Sequence, residues 1–245
     1  SALLIGFENA MLRVGANALG FDGEVDLDDL SIDMTVTANG PDFSIFGPFF
    51  DIEGLPAESF EASGHVSRDG KLWQADSVSA RVGENRLRIN GRLETGSSAR
   101  TEIGIEAAGP NLAVLQEFTD LEGVPEGPFD IDVLLRSHPE GVEVVQGSGV
   151  FGANRVEARG VLAVRPGLQG STGFIRAFGS EFRDVALLAG LPHLPSGAFD
   201  VSGDVALGWD LLRVKDMTAS VGSLAGSASG NVVIRGDNAG GFDLD

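Results

Sequence analysis

Three histidines, His65, His138 and His193, are the side chains best suited to move a proton or hold a metal near neutral pH. None is spaced from another histidine or from a carboxylate pair as ligation would require, and they fall at different points of a repeat. A solvated strand or loop position accounts for each. Carboxylates are plentiful, and Asp26-Leu27-Asp28-Asp29 gathers three of them. A glycosidase needs only two, held apart across a sugar. This cluster, however, follows an alternating run and reads as a turn or a wet face. The chain has no cysteine, which removes thiolate chemistry, disulfides and the commoner zinc sites. No nucleophile elbow, glycine nest or calcium-binding nonapeptide array occurs, and Gly236-Asp237-Asn238-Ala239-Gly240-Gly241 reads as a turn. The sequence assigns no catalytic residue, no metal and no cofactor, and predicts that the protein is not an enzyme.

Composition narrows the partners. A net charge of −19 would repel a phosphate backbone, so no nucleic acid is expected, and it disfavours docking on an anionic membrane surface. At 42% apolar residues the chain has ample material to bury. Tyrosine is absent and there are two tryptophans, too few for the aromatic girdle of an outer-membrane barrel. No apolar run approaches the length that spans a bilayer, and no signal peptide opens the chain.

The elements that position these residues recur. Val124-Pro125-Glu126-Gly127-Pro128-Phe129 is the middle of three copies: Leu55-Pro56-Ala57-Glu58-Ser59-Phe60 stands 69 residues earlier and Leu194-Pro195-Ser196-Gly197-Ala198-Phe199 stands 70 later. Val82-Gly83-Glu84-Asn85, Phe151-Gly152-Ala153-Asn154 and Val221-Gly222-Ser223-Leu224 keep the same register, as do Gly91, Gly160 and Gly230. An earlier partial copy shows as Val14-Gly15-Ala16-Asn17. At the other end Gly240-Gly241-Phe242-Asp243 opens a further strand. The boundaries are 1–39 for the partial repeat, 40–108 and 109–178 for two full ones, and 179–245 for one truncated at its C-terminal end. Since the pattern starts and stops in mid-copy, the sequence reads as a segment of a longer protein.

Each copy is predicted to hold four strands and a short helix. In the middle copy a strand over 129–137 sets Phe129, Ile131, Val133 and Leu135 on one face and Asp130, Asp132 and Arg136 on the other, the period of a sheet with one dry side. A second strand spans 142–151, and Ala153-Asn154 is expected in the turn that follows. In the preceding copy Leu87, Ile89 and Leu93 alternate with arginines, and 101–108 sets Ile103, Ile105 and Ala107 inward. Gly109-Pro110-Asn111-Leu112 opens a helix with Leu112, Leu115 and Phe118 on one side. Phe43 with Phe46, and Phe182 with Val185, Leu188 and Ala189, take that place in the other copies. Such helices are too short to stand alone and must lie against the sheet.

The Gly-Pro-Asn-Leu-x-x-Leu helix, the Leu-Pro-x-x-x-Phe opening and the glycine-closed hairpins resemble the AsmA-like proteins of Gram-negative bacteria. These are grouped with TamB-type proteins among the bridge-like lipid-transfer proteins built of repeating β-groove modules. The resemblance covers essentially the whole chain. Val133 in place of the glycine at Gly64 and Gly203, and Ser180 in place of Pro41 and Pro110, depart from the pattern and would alter individual turns.

The residues alone leave two ways to cover a one-sided apolar sheet: closure on itself as a sandwich, the commoner outcome, or a trough filled by something oily. The resemblance implies the trough. The fold it implies is all-β with short interspersed helices, an elongated, twisted antiparallel β-sheet curled into a groove and built from repeats of 69–70 residues. Fifteen or so strands at about 4.8 Å would extend roughly 70 Å.

The implied role is a segment of a periplasmic protein, anchored to the inner membrane through a segment outside this chain. It would shield phospholipid acyl chains between the inner and outer membranes or their proteins. The lining would be Leu87, Ile89, Leu93, Ile103, Ile105, Phe129, Ile131, Val133, Leu135, Val156, Leu162, Phe199, Val201, Val205 and Leu207. Lys71, Trp73 and Trp209 would meet headgroups at the rim or pack across strands. A structural or adhesive repeat scaffold, or a factor in outer-membrane protein assembly that conducts no lipid, are the alternatives.

Overall fold

Alternation of apolar and polar residues, broken every ten or so by a short turn, produces hairpin after hairpin. A computed structural model describes residues 3–47, 55–94, 100–112, 126–165, 168–183, 197–209, 211–233 and 242–244. The chain is all-β with short helical segments, and its antiparallel sheet is not closed into a barrel.

The chain divides into two compact units, Ser1–Pro110 and Asn111–Asp245. The first holds β1 (Leu4–Val14), β2 (Asn17–Asp26), β3 (Ser31–Gly40), β4 (Phe60–Asp69), β5 (Leu72–Val82), β6 (Asn85–Glu94) and β7 (Thr101–Gly109). The second holds β8 (Phe129–His138), β9 (Gly141–Phe151), β10 (Asn154–Ala163), β11 (Thr172–Gly179), β12 (Phe199–Leu207), β13 (Leu211–Val221), β14 (Leu224–Val233) and β15 (Phe242–Leu244). Within each unit every strand pairs antiparallel with its neighbours in sequence.

Four hairpins are built alike. Gly15, Gly83, Gly152 and Gly222 each open a two-residue loop with φ between 56° and 63°, where type II′ turns call for glycine. Asparagine was expected inside these turns. Instead Asn17, Asn85 and Asn154 are the first residues of the next strands, Asn154 pairing with Phe151. The glycine alone supplies the positive φ, so the asparagine is released for a tertiary contact. Asn154 is 1% exposed, and its Oδ1 accepts the Glu181 N–H at 3.0 Å. The neighbouring strand ends in glycine, since a Cβ at Gly40 or Gly179 would strike Asn17 or Asn154.

The repeat is tied at one end of each copy. The N–H groups of Phe43, Leu112 and Phe182 donate to the carbonyls of Glu58, Gly127 and Gly197 at 2.9, 2.8 and 2.9 Å. Those of Gly83, Gly152 and Gly222 donate to Ser59, Pro128 and Ala198 at 2.8 Å. Thus the turn before each opening phenylalanine holds both a helical start and a hairpin. In the first copy that helical start is a 3₁₀ turn, Phe43–Phe46, with the Ser44 N–H accepted by Asp42 Oδ1 at 3.0 Å. Leu115, Phe118, Val185, Leu188 and Ala189, expected on the other helices, lie outside the described residues.

Bulges recur too. β1, β5 and β13 each insert a residue with left-handed backbone: Asn9 (φ 48°), Ser77 (φ 53°) and Asp216 (φ 50°). The N–H of each is accepted by a side chain on the next strand, at 3.2 Å by Asp22 Oδ2, 2.8 Å by Asn90 Oδ1 and 3.0 Å by Ser229 Oγ. Such bulges bend and twist the strand that carries them. Val133, expected to disturb a turn, stands in mid-strand in β8 opposite Gly147, and the bulge beside it inserts Val145 in β9.

Candidate ligand-binding face

Cross-strand partners share a face, so the register sorts every strand residue. In the first unit one face carries Leu12, Leu19, Val36, Ala62, Ala80, Leu87 and Ala107, then Ile89 between Val78 and Ile105, then Gly91 between Ala75 and Ile103. Trp73 lies opposite Leu93 at the far end. The other face carries Asp22, Thr35, His65, Asp76, Arg88 and Glu106. In the second unit a row runs Ile131, Gly149, Val156, Ala177, Val201, Ala219. Another runs Leu135, Val144, Gly160, Gly173, Val205, Val214.

The residues assigned to the lining all fall on the apolar face of their unit: Leu87, Ile89, Leu93, Ile103 and Ile105 in the first, and Phe129, Ile131, Val133, Leu135, Val156, Leu162, Phe199, Val201, Val205 and Leu207 in the second. Their surroundings differ. Phe129 and Phe199 are 6% exposed, as Phe60 is at 5%, so they are covered by protein and offer no open lining. Phe60 is covered by Phe43 and Phe46, with ring centroids at 5.5 and 5.2 Å, and Phe199 by Phe182 at 5.0 Å. The helical starts therefore close one end of the face. Leu87, one step in from that end, and Ile175, Leu93 and Leu162, further from it, are about two-fifths exposed. Val66, Trp73, Ala75, Ile89, Leu93 and Ile103 line an apolar concavity of about 280 Å³.

Glycines set the depth of this face. Ile131 and Val133 stand opposite Gly149 and Gly147, and Ile175 lies between Ala158 and Gly203. These glycines make room for neighbouring side chains, the Phe151 ring lying over Gly149 and Met217 against Gly203.

The polar face is organised by short-range pairs. Arg88 reaches Glu106 at 2.9 Å and Arg176 reaches Asp200 at 2.7 Å. The hydrogen bond with Arg176 holds the Asp200 carboxyl below its usual range, and the same contact raises the Arg176 guanidinium. His65 lies 3.5 Å from Asp33 and 3.4 Å from Thr35, and His138 Nδ1 accepts the Glu140 N–H. His193 lies outside the described residues. Asp26, Asp28 and Asp29 accept backbone N–H groups of Asp28, Leu3 and Ser31, so that cluster shapes a turn. Trp73 packs under the Arg68 guanidinium at 5.1 Å, and Trp209 is exposed.

A larger concavity, about 600 Å³, lies on the polar face of the second unit. Its lining mixes Glu143 and Asp204 with Arg159, Arg213 and Lys215 around Phe174. It is not legible in the sequence, because its residues come from five strands and none forms a local motif. Among the described residues no three His, Asp or Glu side chains gather as a metal ion would need, and no helix is long and apolar enough to cross a membrane. Compared with models of protein families, with curated proteins and with solved structures, the chain matches none.

Proposed function

We propose that the chain is a segment of a periplasmic bridge-like lipid-transfer protein, and that its apolar face shields phospholipid acyl chains in passage between the inner and outer membranes. The observation that carries this reading is an apolar sheet face that, among the described residues, the helical starts cover at its phenylalanine end and that exposes large apolar side chains beyond it. Burial of an acyl chain there is non-directional, at about 25 cal/mol per Å² of apolar area, or about 0.8 kcal/mol per methylene. A tail is then held by several kcal/mol in sum, yet adjacent positions along the face differ little, so it can slide. The resemblance to AsmA-like proteins supports the same reading, including an inner-membrane anchor carried elsewhere in a longer protein.

The test is native mass spectrometry and solvent extraction of the purified chain. Phospholipid should copurify, and Ile131→Asp or Ile89→Asp should empty the chain while circular dichroism keeps its β signature. Arg88→Asp, on the polar face, should leave the load in place. A folded chain that carries no lipid and takes none up from vesicles would sink the proposal and leave the scaffold reading.

A further inference from the structure

Outside the bulges, the register sends every Asp, Glu, Lys and Arg of the described strands to the polar face of its unit except Arg68. Arg68 stands on the apolar face in the row Val25, Ile32, Arg68, Trp73, Leu93, at the opposite end of β4 from Phe60. A guanidinium on an apolar surface is unfavourable unless something answers its charge. None of the ion pairs among the described residues involves it. Its Nε donates to the Gly70 carbonyl at 3.1 Å, and its central carbon lies 5.1 Å from the Trp73 ring centroid. The ring and the carbonyl therefore fix the guanidinium while its two terminal nitrogens stay without a protein acceptor. The pair occurs in one copy only. Ser137 and Val142 take its place in β8 and β9, and Leu207 and Leu212 in β12 and β13. Trp73 is also a wall of the 280 Å³ apolar concavity that it shares with Val66, Ala75, Ile89, Leu93 and Ile103. An unanswered cation thus stands beside a space suited to a hydrocarbon.

We propose that Arg68, held against Trp73, is a headgroup clamp: its terminal nitrogens take the phosphate of a phospholipid whose acyl chain lies in the adjoining concavity. This rests on the reading of the face as a lipid-binding surface, and adds to it a fixed point and a direction. The phosphate sits at the Gly70 end, and the tail runs from Trp73 past Ala75 and Ile89 toward Phe60. Elsewhere a tail meets only apolar side chains and can slide. Here the head is caught by a planar fork able to make two parallel N–H···O bonds to phosphate oxygens. Those bonds read the phosphate and not the tail, so a lipid of the same chains without phosphate is held less well. With Ser137 and Leu207 in the equivalent places, the other copies have no such stop.

Native mass spectrometry tests the clamp on the purified chain, offered equal amounts of phosphatidylglycerol and of diacylglycerol with the same acyl chains from detergent micelles. Wild type should retain the phospholipid about tenfold over its phosphate-free counterpart. Arg68→Gln should bring that ratio close to one while diacylglycerol still loads. Arg68→Lys, a cation without the planar fork, should fall between. Trp73→Leu keeps an apolar wall and should lower the ratio too, because the guanidinium loses its support. Inorganic phosphate, the same oxyanion without a tail, should not displace the lipid. Equal retention of the two lipids by wild type, a preference that survives Arg68→Gln, or its loss to inorganic phosphate would overturn the clamp and leave the acyl-chain reading standing. Retention of neither lipid would overturn both.

Discussion

In β4 and β5 the residue facing the bulge is Gly64, and the bulged strand takes a left-handed residue, Ser77, whose amide is capped by Asn90. In β8 and β9 the counterpart Val133 pairs directly with Gly147, the unpaired residue is Val145, and no residue of either strand has positive φ. The capping position is filled by Arg159, whose guanidinium lies 5.0 Å over the Phe174 ring. Both pairs admit one extra residue, but not at the same step of the repeat. Where Gly64 leaves room against the Val78 backbone, the extra residue takes a left-handed conformation; where Val133 stands in its place, the facing strand has no positive φ.

The comparison breaks most sharply at the glycine. Gly64→Val would drive its side chain into the Val78 backbone and is expected to destabilise the first unit by about 2–3 kcal/mol, read as a lowered thermal midpoint. If Gly64→Val is tolerated without a second change at Val78, the two arrangements are not true alternatives. Next in size is Asn154→Ala. It removes a buried acceptor from the Glu181 amide and should cost about 1–3 kcal/mol, while Leu224→Ala, at the equivalent but exposed position, should cost little. Asn90→Ala should cost about 1 kcal/mol and speed amide exchange at Ser77. Arg159→Ala should leave exchange in β9 unchanged, because no amide there depends on it.

The smallest effect concerns Arg176→Gln. The Asp200 carboxyl is held below its unfolded value near 3.9, so the pair adds stability above that pH and loses it as pH falls through the folded value. The difference between wild type and variant should be slight and flat from neutrality down to about pH 5, then close as acid is added. Thermal melts across that range check the sign.

The period, the strands and the division into a dry and a wet face were legible, because alternation is local and repeats at 69–70 residues. The role of Asn154 was not. A glycine followed closely by asparagine matches the composition of a turn, and only the distant Glu181 amide shows that the side chain points inward. The bulges left no mark either, since Asn9, Ser77 and Asp216 share no residue type and become equivalent only through the strand opposite. Phe129 and Phe199 looked like any other alternating apolar residue. Their burial depends on helical starts that approach from beyond the strand, as Phe182 does over Phe199.

Strands that pair only with their neighbours in sequence give each unit a low contact order, so no segment waits for a partner made much later. Each hairpin can form as it leaves the ribosome, and the greasy surface exposed at any moment belongs to only a few strands. Such a chain can also lengthen by duplicating a copy without redesigning the ones already in place.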